Sequence, residues 1–240
     1  MNYFRKQQTY FFIPFLLLLT SVILTGCVDL SGSRSAYRKK ATHNTSTVNK
    51  NTPNVNTTPV KKGEVHTMRG GLGIFSKGMN QLRDTVADKY HISSRSTMWY
   101  NAGEVSRNII DRYYRQKEHR PIILIGHSLG ANEQIKVARN LNDAGVPVAL
   151  LVTVDAVSQT IVPPNVKQVL NVYKPGYVPM FSGLKLRAVN PEATHIENVN
   201  VDSLKEVNVN HFTIDKDKVV QAMILDKVEK VLIDGNSKGA

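Results

Sequence analysis

The segment Pro121–Gly126 (PIILIG) restricts the fold of this chain more than any other part of its sequence. It is a continuous apolar run, which is typical of a strand buried on both faces of a parallel sheet. A helical pattern follows at once, and its apolar positions are Leu129, Ile135, Val137, Ala138 and Leu141. Because a buried strand that leads directly into a helix is the building unit of α/β domains, we expect an α/β fold.

The rest of the sequence from residue 64 onward also alternates between short apolar runs and helical stretches. Strands are predicted near residues 64–68, 94–100, 121–126, 147–154, 166–173 and 194–201. Helices are predicted near residues 75–90, 103–117, 129–143 and 215–233. A chain of 240 residues, 41% of them hydrophobic, suffices for one such domain. We therefore expect a mostly parallel central sheet of about six strands flanked by helices.

The first 26 residues have the pattern of a signal peptide. Residues 1–10 contain two cations and no acid, and residues 11–24 form an apolar run of 14 residues. A membrane-spanning helix needs about 20 apolar residues, and Pro14 would break the first turn of this one. The following Leu24-Thr-Gly-Cys27 resembles the lipobox of bacterial lipoproteins. That resemblance implies cleavage before Cys27 and lipid on this cysteine. A secreted protein with a chance cysteine and an uncleaved signal anchor are the alternatives.

The lipobox resemblance also implies a place in the bacterial cell envelope. Val28 stands where an Asp commonly retains lipoproteins at the inner membrane. The outer membrane, on its periplasmic or surface face, is therefore favoured if two membranes are present. Residues 31–62 are rich in Ser, Thr, Asn and Lys, so we interpret residues 27–62 as the lipidated cysteine and a disordered basic tether. The folded α/β domain is expected over residues 63–240.

The formal net charge of +12 lies mostly outside that domain. Residues 31–62 hold seven cations and no acid, whereas residues 63–240 carry an excess of only +4. So small an excess does not require a polyanionic partner, and we expect no nucleic-acid binding. The single cysteine, Cys27, also excludes a disulfide framework and any cysteine-built zinc or iron–sulfur site.

The turn after the strand at 121–126 carries Gly126-His-Ser-Leu-Gly130, a G-x-S-x-G motif. A serine on so sharp a turn has a strained backbone, and the flanking glycines remove Cβ atoms that would collide with the strand and the helix. We expect its hydroxyl above the sheet edge at the N-terminus of a helix, which favours negative charge. Ser128 is therefore the candidate nucleophile, and the N–H of Leu129 is a candidate oxyanion donor.

Through IILIGHSLGA the sequence resembles the α/β-hydrolase superfamily, and within it the small lipases, esterases and thioesterases. The resemblance covers about residues 64–233 and implies the chain order nucleophile, acid, histidine. The domain from Gly63 onward leaves little room for a cap, and two opening strands of the full family sheet are missing. We expect a reduced α/β-hydrolase fold of about six strands with no large cap domain.

Two histidines follow Ser128 in the sequence. His195 falls within a predicted strand, where a structural role is expected, whereas His211 lies in a polar break where the resemblance places the general base. Asp155 ends an apolar strand and is expected at the same sheet edge as Ser128, although the family usually places its acid one strand later. Asp202 is the alternative acid, only nine residues before His211.

The loop after the first core strand, residues 68–73 (MRGGLG), has the position of the second oxyanion donor. Its glycines let the backbone approach a reacting carbonyl, so an N–H of Gly71 or Leu72 is expected to join that of Leu129. The loop matches neither G-x-x-x-x-G-K-[ST] nor G-x-G-x-x-G, which argues against a nucleotide site. The candidates for an acyl pocket, or for plain anchors of the loop at 174–183, are Tyr177, Met180 and Phe181.

Together these residues imply a lipid-anchored serine hydrolase that cleaves carboxylic esters or thioesters through an acyl-Ser128 intermediate. Asp155 and His211 complete the expected triad, and the chemistry requires neither a metal ion nor an organic cofactor. The expected partners are the acyl ester or thioester substrate and a membrane reached through Cys27. Two alternatives stay open: a non-catalytic binding or scaffold lipoprotein of the envelope, and an acyltransferase that uses the same triad.

Overall fold

The computed structural model of this protein describes residues 62–71, 73–178 and 181–237. The predicted signal peptide, Cys27 and the predicted tether up to residue 61 lie outside the described residues. No helix in the described part of the chain is both long and apolar enough to cross a membrane.

A six-stranded parallel sheet forms the centre of the fold. Its strands are β1 (Glu64–Arg69), β2 (Ser93–Met98), β3 (Ile122–His127), β4 (Val148–Val154), β6 (Val166–Tyr173) and β8 (His195–Asn200). They lie in the order β2-β1-β3-β4-β6-β8, and every neighbouring pair is parallel. The prediction of a parallel α/β sheet of about six strands flanked by helices is confirmed.

In the part of the chain that the structure describes, four α-helices cover the two faces of this sheet. They are α1 (Lys77–Tyr90), α2 (Ala102–Arg115), α3 (Leu129–Asp143) and α4 (Lys218–Ser237). Helices α1 and α4 contribute to one apolar cluster, and α2 and α3 contribute to the other. Along β3, Ile123 and Ile125 face the first cluster, whereas Ile122 and Leu124 face the second. Burial on both faces explains why the sequence of β3 is continuously apolar.

The structure also contains elements that the sequence pattern did not predict. Strands β5 (Ile161–Val162) and β7 (Arg187–Ala188) form a separate two-stranded parallel sheet. Two residues per strand are too few to show an alternating pattern. The predicted strand at 94–100 ends at Met98, and a short 3-10 helix, Trp99–Asn101, continues the chain into α2.

The start of α1 is joined to the segment that precedes α4. The N–H of Gly78 donates to the Asp215 carboxylate Oδ2 at 2.8 Å. A Cβ on Gly78 would overlap the backbone carbonyl of Asp215, so only glycine allows this approach. Asp215 is fully buried, and burial raises the pKa of its carboxyl from 3.8 to about 6. The fold therefore carries an acid that costs free energy to ionise.

This raised pKa predicts a loss of stability as the pH rises from 4 to 6. In that window the unfolded chain has released the Asp215 proton while the folded chain still holds it, so deprotonation favours unfolding. We expect the contribution of Asp215 to the free energy of unfolding to fall by about 3 kcal/mol between pH 4 and 6 and to stay constant at higher pH. Urea unfolding at several pH values, compared between wild type and Asp215→Asn, measures this contribution.

The matched control for that experiment is Asp217→Asn. Asp217 caps the N-terminus of α4 by accepting the N–H groups of Val219 and Val220, and asparagine caps helices equally well. We expect Asp217→Asn to keep the wild-type slope of stability between pH 4 and 6. If Asp215→Asn keeps that slope as well, the assignment of the pH dependence to Asp215 is wrong.

Candidate active site

Ser128 occupies the sharp turn between β3 and α3. Its backbone has φ 58° and ψ −125°, which is strained for a residue that carries a Cβ. Hydrogen bonds on both sides hold this conformation. The Ser128 N–H donates to the carbonyl of Val154 at 2.9 Å, and the Ser128 carbonyl accepts the N–H groups of Ala131 and Asn132. The turn is thus joined to the end of β4 and to the first turn of α3.

Two glycines of the motif allow α3 to pack closely against the sheet. A Cβ on Gly126 would overlap the carbonyl of Gly130, and a Cβ on Gly130 would overlap the carbonyl of Met68 in β1. A side chain at either position would push the helix away from the strands. The glycines are therefore needed for the close contact between helix and sheet that places Ser128 at the sheet edge.

The side chains of Ser128, His211 and Asp155 form a continuous hydrogen-bond chain. His211 Nδ1 lies 2.7 Å from Asp155 Oδ2, and His211 Nε2 lies 2.8 Å from Ser128 Oγ. An ionised carboxylate only accepts hydrogen bonds, so Nδ1 of a neutral His211 carries the proton. Nε2 then accepts the hydrogen bond of the Ser128 hydroxyl. This arrangement lets His211 take the serine proton when the hydroxyl attacks.

Asp155 is fully buried and is fixed from both sides. It directly follows β4 with φ 54°, in the left-handed region that asparagine and aspartate tolerate better than most residues. Its backbone N–H donates to the Val172 carbonyl at 2.8 Å, and its Oδ1 accepts the Lys174 backbone N–H at 2.7 Å. A Cβ on Gly183 would overlap that same oxygen. The carboxylate thus has one oxygen for the loop and one for His211.

His195 and Asp202, the alternative candidates for the base and the acid, lie outside this hydrogen-bond chain. His195 is the exposed first residue of β8. Asp202 lies in a 3-10 helix after β8 and forms an exposed ion pair with Lys174. The structure therefore brings Asp155 and His211 to Ser128, and it places neither alternative in this hydrogen-bond chain.

The loop after β1 lies directly beside Ser128. A Cβ built on Gly70 would be 2.9 Å from both the Ser128 Cβ and the Leu129 nitrogen. The next residue, Gly71, has φ 51° and its carbonyl accepts the Trp99 indole N–H at 2.7 Å. Leu129 is the first residue of α3, so its N–H has no partner within the helix. Of the three predicted oxyanion donors, Gly71 and Leu129 thus belong to segments next to Ser128, whereas Leu72 lies outside the described residues.

A cluster of three partly exposed phenylalanines lies next to His211. The Phe181 and Phe212 rings each lie 5.5 Å from the His211 ring, and Phe75 lies 5.0 Å from Phe212. Their exposed fractions are 47% for Phe75, 41% for Phe181 and 38% for Phe212. Of the predicted acyl-pocket residues, Phe181 thus lies beside His211, Tyr177 is fully exposed, and Met180 lies outside the described residues.

Sequence reasoning missed several residues that support this site. The side-chain oxygen of Asn132, in α3, accepts the backbone N–H groups of the three residues that follow Ala156. Ser76 and His127 form a second buried hydrogen-bond chain next to Ser128. Burial lowers the pKa of His127 to about 3, and the nearby His211 adds to this effect, so this imidazole is neutral at neutral pH. Nothing in the local sequence pattern identifies these partners, because the contacts of Asn132 and the Ser76–His127 contact join distant parts of the chain.

Within residues 62–71, 73–178 and 181–237, no group of three or more His, Cys, Asp or Glu side chains is arranged to hold a metal ion.

No protein-family model matches the chain, and no curated protein matches it. Among solved structures it is similar to human thioesterase 2, with 10% identity and a TM-score of 0.44 over 72% of this chain and 97% of that one. It is also similar to the lin2722 gene product of Listeria innocua, with 14% identity and a TM-score of 0.44 over 68% and 92%. A third is the NocB thioesterase domain from the nocardicin cluster, with 11% identity and a TM-score of 0.40 over 72% and 96%.

Proposed function

We propose that this protein is a serine hydrolase that cleaves carboxylic esters or thioesters through an acyl-Ser128 intermediate. The observation that carries the proposal is the hydrogen-bond chain from Asp155 through His211 to Ser128, with heavy-atom distances of 2.7 and 2.8 Å. All three side chains are buried at the carboxyl edge of the sheet. A hydroxyl, a base and an orienting carboxylate in this order form the activated-nucleophile arrangement of acyl transfer.

In the first half of the reaction Ser128 Oγ attacks the carbonyl carbon, and its proton passes to His211 Nε2. The carbonyl oxygen becomes an oxyanion, which we expect the N–H groups of Leu129, at the N-terminus of α3, and of Gly71 to stabilise. When the tetrahedral intermediate collapses, the bond to the leaving group breaks and the proton on Nε2 passes to the departing oxygen or sulfur. Asp155 stabilises the transient imidazolium throughout.

In the second half water replaces the leaving group. His211 Nε2 takes a proton from the attacking water, whose oxygen bonds to the acyl carbon of acyl-Ser128. Collapse of this second intermediate releases the carboxylic acid and returns the proton to Ser128 Oγ. The site residues therefore end the cycle in their starting protonation states.

The surroundings of His211 favour a substrate with an apolar group. The Phe181 and Phe212 rings lie beside the imidazole, Phe75 lies against Phe212, and each of the three rings is more than a third exposed. Contact with an apolar acyl or alcohol portion would remove this surface from water, which stabilises the complex by about 25 cal/mol per Å² buried. We therefore propose esters or thioesters with an apolar acyl group as substrates.

Covalent labelling of the full-length chain with a fluorophosphonate tests the proposed nucleophile. We expect one phosphonyl group on Ser128, found by intact mass and peptide mapping, because His211 activates that hydroxyl. Labelling should be lost in His211→Ala and retained in His195→Ala, which replaces an exposed histidine of β8. Absence of labelling in folded wild-type protein would contradict the hydrolase and favour the non-catalytic scaffold.

We further propose that the enzyme is anchored in a bacterial envelope membrane through lipid on Cys27, on the outer membrane where there are two. The support is the sequence alone: the apolar run at 11–24 and Leu24-Thr-Gly-Cys27. We expect Cys27→Ser to move the protein from the membrane fraction to the soluble fraction of the producing bacterium, while ester turnover by the domain is kept. Full membrane retention of Cys27→Ser would point instead to an uncleaved signal anchor.

A further inference from the structure

A second buried hydrogen-bond chain passes beside the proposed triad. The Ser76 hydroxyl, just before α1, lies 2.8 Å from His127 Nδ1 and 3.1 Å from the Gly70 nitrogen. At the other end of the imidazole, His127 Nε2 lies 2.9 Å from the backbone carbonyl oxygen of His211. Ser76 and His127 are both almost completely buried. The chain thus runs from the loop after β1 to the segment that carries the general base.

The chemistry of the partners fixes the direction of each hydrogen bond. A backbone carbonyl only accepts, so His127 Nε2 carries the proton and donates to His211. Burial keeps His127 neutral at neutral pH, so its Nδ1 has a free lone pair and accepts the Ser76 hydroxyl proton. The Ser76 oxygen in turn accepts the Gly70 N–H. In this hydrogen-bond chain each donor therefore faces an acceptor.

The two ends of this hydrogen-bond chain are parts of the site that lie outside the G-x-S-x-G turn. One end is Gly70, whose neighbour Gly71 supplies the proposed second oxyanion donor. The other end is the backbone of His211, which lies in a turn rather than in a strand or a long helix. The His127 side chain belongs to the last residue of β3, so both ends are held against the rigid sheet next to Ser128.

We propose that Ser76 and His127 are positioning residues, which set the oxyanion loop and His211 at their correct distances from Ser128. This inference rests on the proposed hydrolase function and deepens it. His127 touches neither the substrate nor the transferred proton in this scheme. It acts by fixing the Gly70–Gly71 backbone and the His211 main chain, whose positions matter most when the tetrahedral intermediate forms.

The charge on His127 is part of this role. Its ring centroid lies 5.2 Å from that of His211, which becomes an imidazolium during each half-reaction. A protonated His127 would repel that imidazolium, whereas a neutral His127 does not. The Ser76 hydroxyl is hydrogen-bonded to His127, and the positive charge of Lys216 also lowers the pKa of this imidazole.

Kinetics of Ser76→Ala, measured on full-length protein with nitrophenyl butyrate, test the proposal. We expect kcat/KM to fall about 10- to 100-fold with KM changed less than about twofold, because a displaced oxyanion donor weakens the transition state more than the bound substrate. A trifluoromethyl ketone, whose carbonyl carbon bonds to Ser128 Oγ to form an oxyanion, should bind weaker by the same factor. Ser76→Thr keeps the hydroxyl and should recover most of the lost activity.

His127→Asn is the second variant, which keeps the test decisive if Ser76→Ala does not fold. Asparagine places a hydrogen-bond acceptor near the position of Nδ1 but has no donor that reaches the His211 carbonyl. We therefore expect a loss in kcat comparable to that of Ser76→Ala. The fluorophosphonate should still label Ser128, but more slowly. Ser106→Ala is the matched control, because Ser106 is also buried and hydrogen-bonded, but within α2 and to Asn140 of α3. We expect it to lower stability without changing kcat/KM.

The outcomes separate this inference from the function on which it rests. Normal kcat/KM and normal ketone binding in Ser76→Ala, with only a loss of stability like that of Ser106→Ala, would overturn the positioning role and leave the hydrolase intact. A wild-type chain that neither cleaves esters nor reacts with the fluorophosphonate would overturn the hydrolase, and the positioning role with it.

Discussion

Ser128→Ala and His211→Ala are each expected to lower kcat for ester hydrolysis by about 10⁶-fold, to the level set by the remaining oxyanion donors. Ser128→Ala removes the atom that bonds to the acyl carbon, and His211→Ala removes the only imidazole within hydrogen-bonding distance of the hydroxyl in the described part of the chain. The measurement is nitrophenyl ester turnover, with circular dichroism melting curves recorded on the same samples.

The fold should survive both changes. Ser128→Ala keeps the Cβ in the same strained turn, which is held by backbone hydrogen bonds that alanine also makes. The double variant is expected to be no slower than either single one, because the two side chains act as a unit. His195→Ala is the matched control and should keep wild-type turnover. Substantial activity in Ser128→Ala would require another nucleophile and would contradict the proposal.

Asp155→Asn is expected to lower kcat by about 10⁴-fold while leaving the fold in place. Asparagine tolerates the positive φ of this position, and its oxygen can still accept the Lys174 backbone N–H. Its amide group then faces His211 Nδ1 and donates to it, which places the imidazole proton on Nε2. In that tautomer Nε2 cannot accept the Ser128 proton, so the base is present in the wrong form. Single-turnover kinetics at neutral pH measure this loss.

Asp202→Asn is the matched control for this change. Asp202 forms an exposed ion pair with Lys174, and exposed pairs contribute little to stability. We expect its turnover to stay within about twofold of wild type. Full activity in Asp155→Asn together with a large loss in Asp202→Asn would reverse the assignment of the acid.

The part of this protein that the sequence predicts best is its central strand and the turn after it. A run that is apolar at every position requires burial on two faces, and the immediate helical pattern requires a crossover to a parallel neighbour. Because the carboxyl ends of parallel strands meet at one sheet edge, the sequence also predicts that Asp155, at the end of β4, lies near the Ser128 turn. The catalytic role of both residues stays a prediction that the experiments above test.

The supporting contacts could not be predicted in this way. Ser76 and His127 are 51 residues apart, and a buried hydrogen bond between distant residues produces no periodic signal in either segment. The same is true of Asn132, whose side-chain oxygen serves three backbone N–H groups of a loop more than twenty residues away. Such contacts depend on how the helices and loops come together on the sheet, and local sequence patterns do not encode that.

The backbone hydrogen bonds of Ser128 and Asp155 have a consequence for heat inactivation. The Ser128 N–H bonds to the carbonyl of Val154, and the Asp155 N–H bonds to that of Val172, so both residues extend the ladders between β3, β4 and β6. Movement of either residue would break a backbone hydrogen bond at the carboxyl end of buried, paired strands. Loss of the backbone geometry at Ser128 on heating should therefore coincide with opening of this end of the sheet.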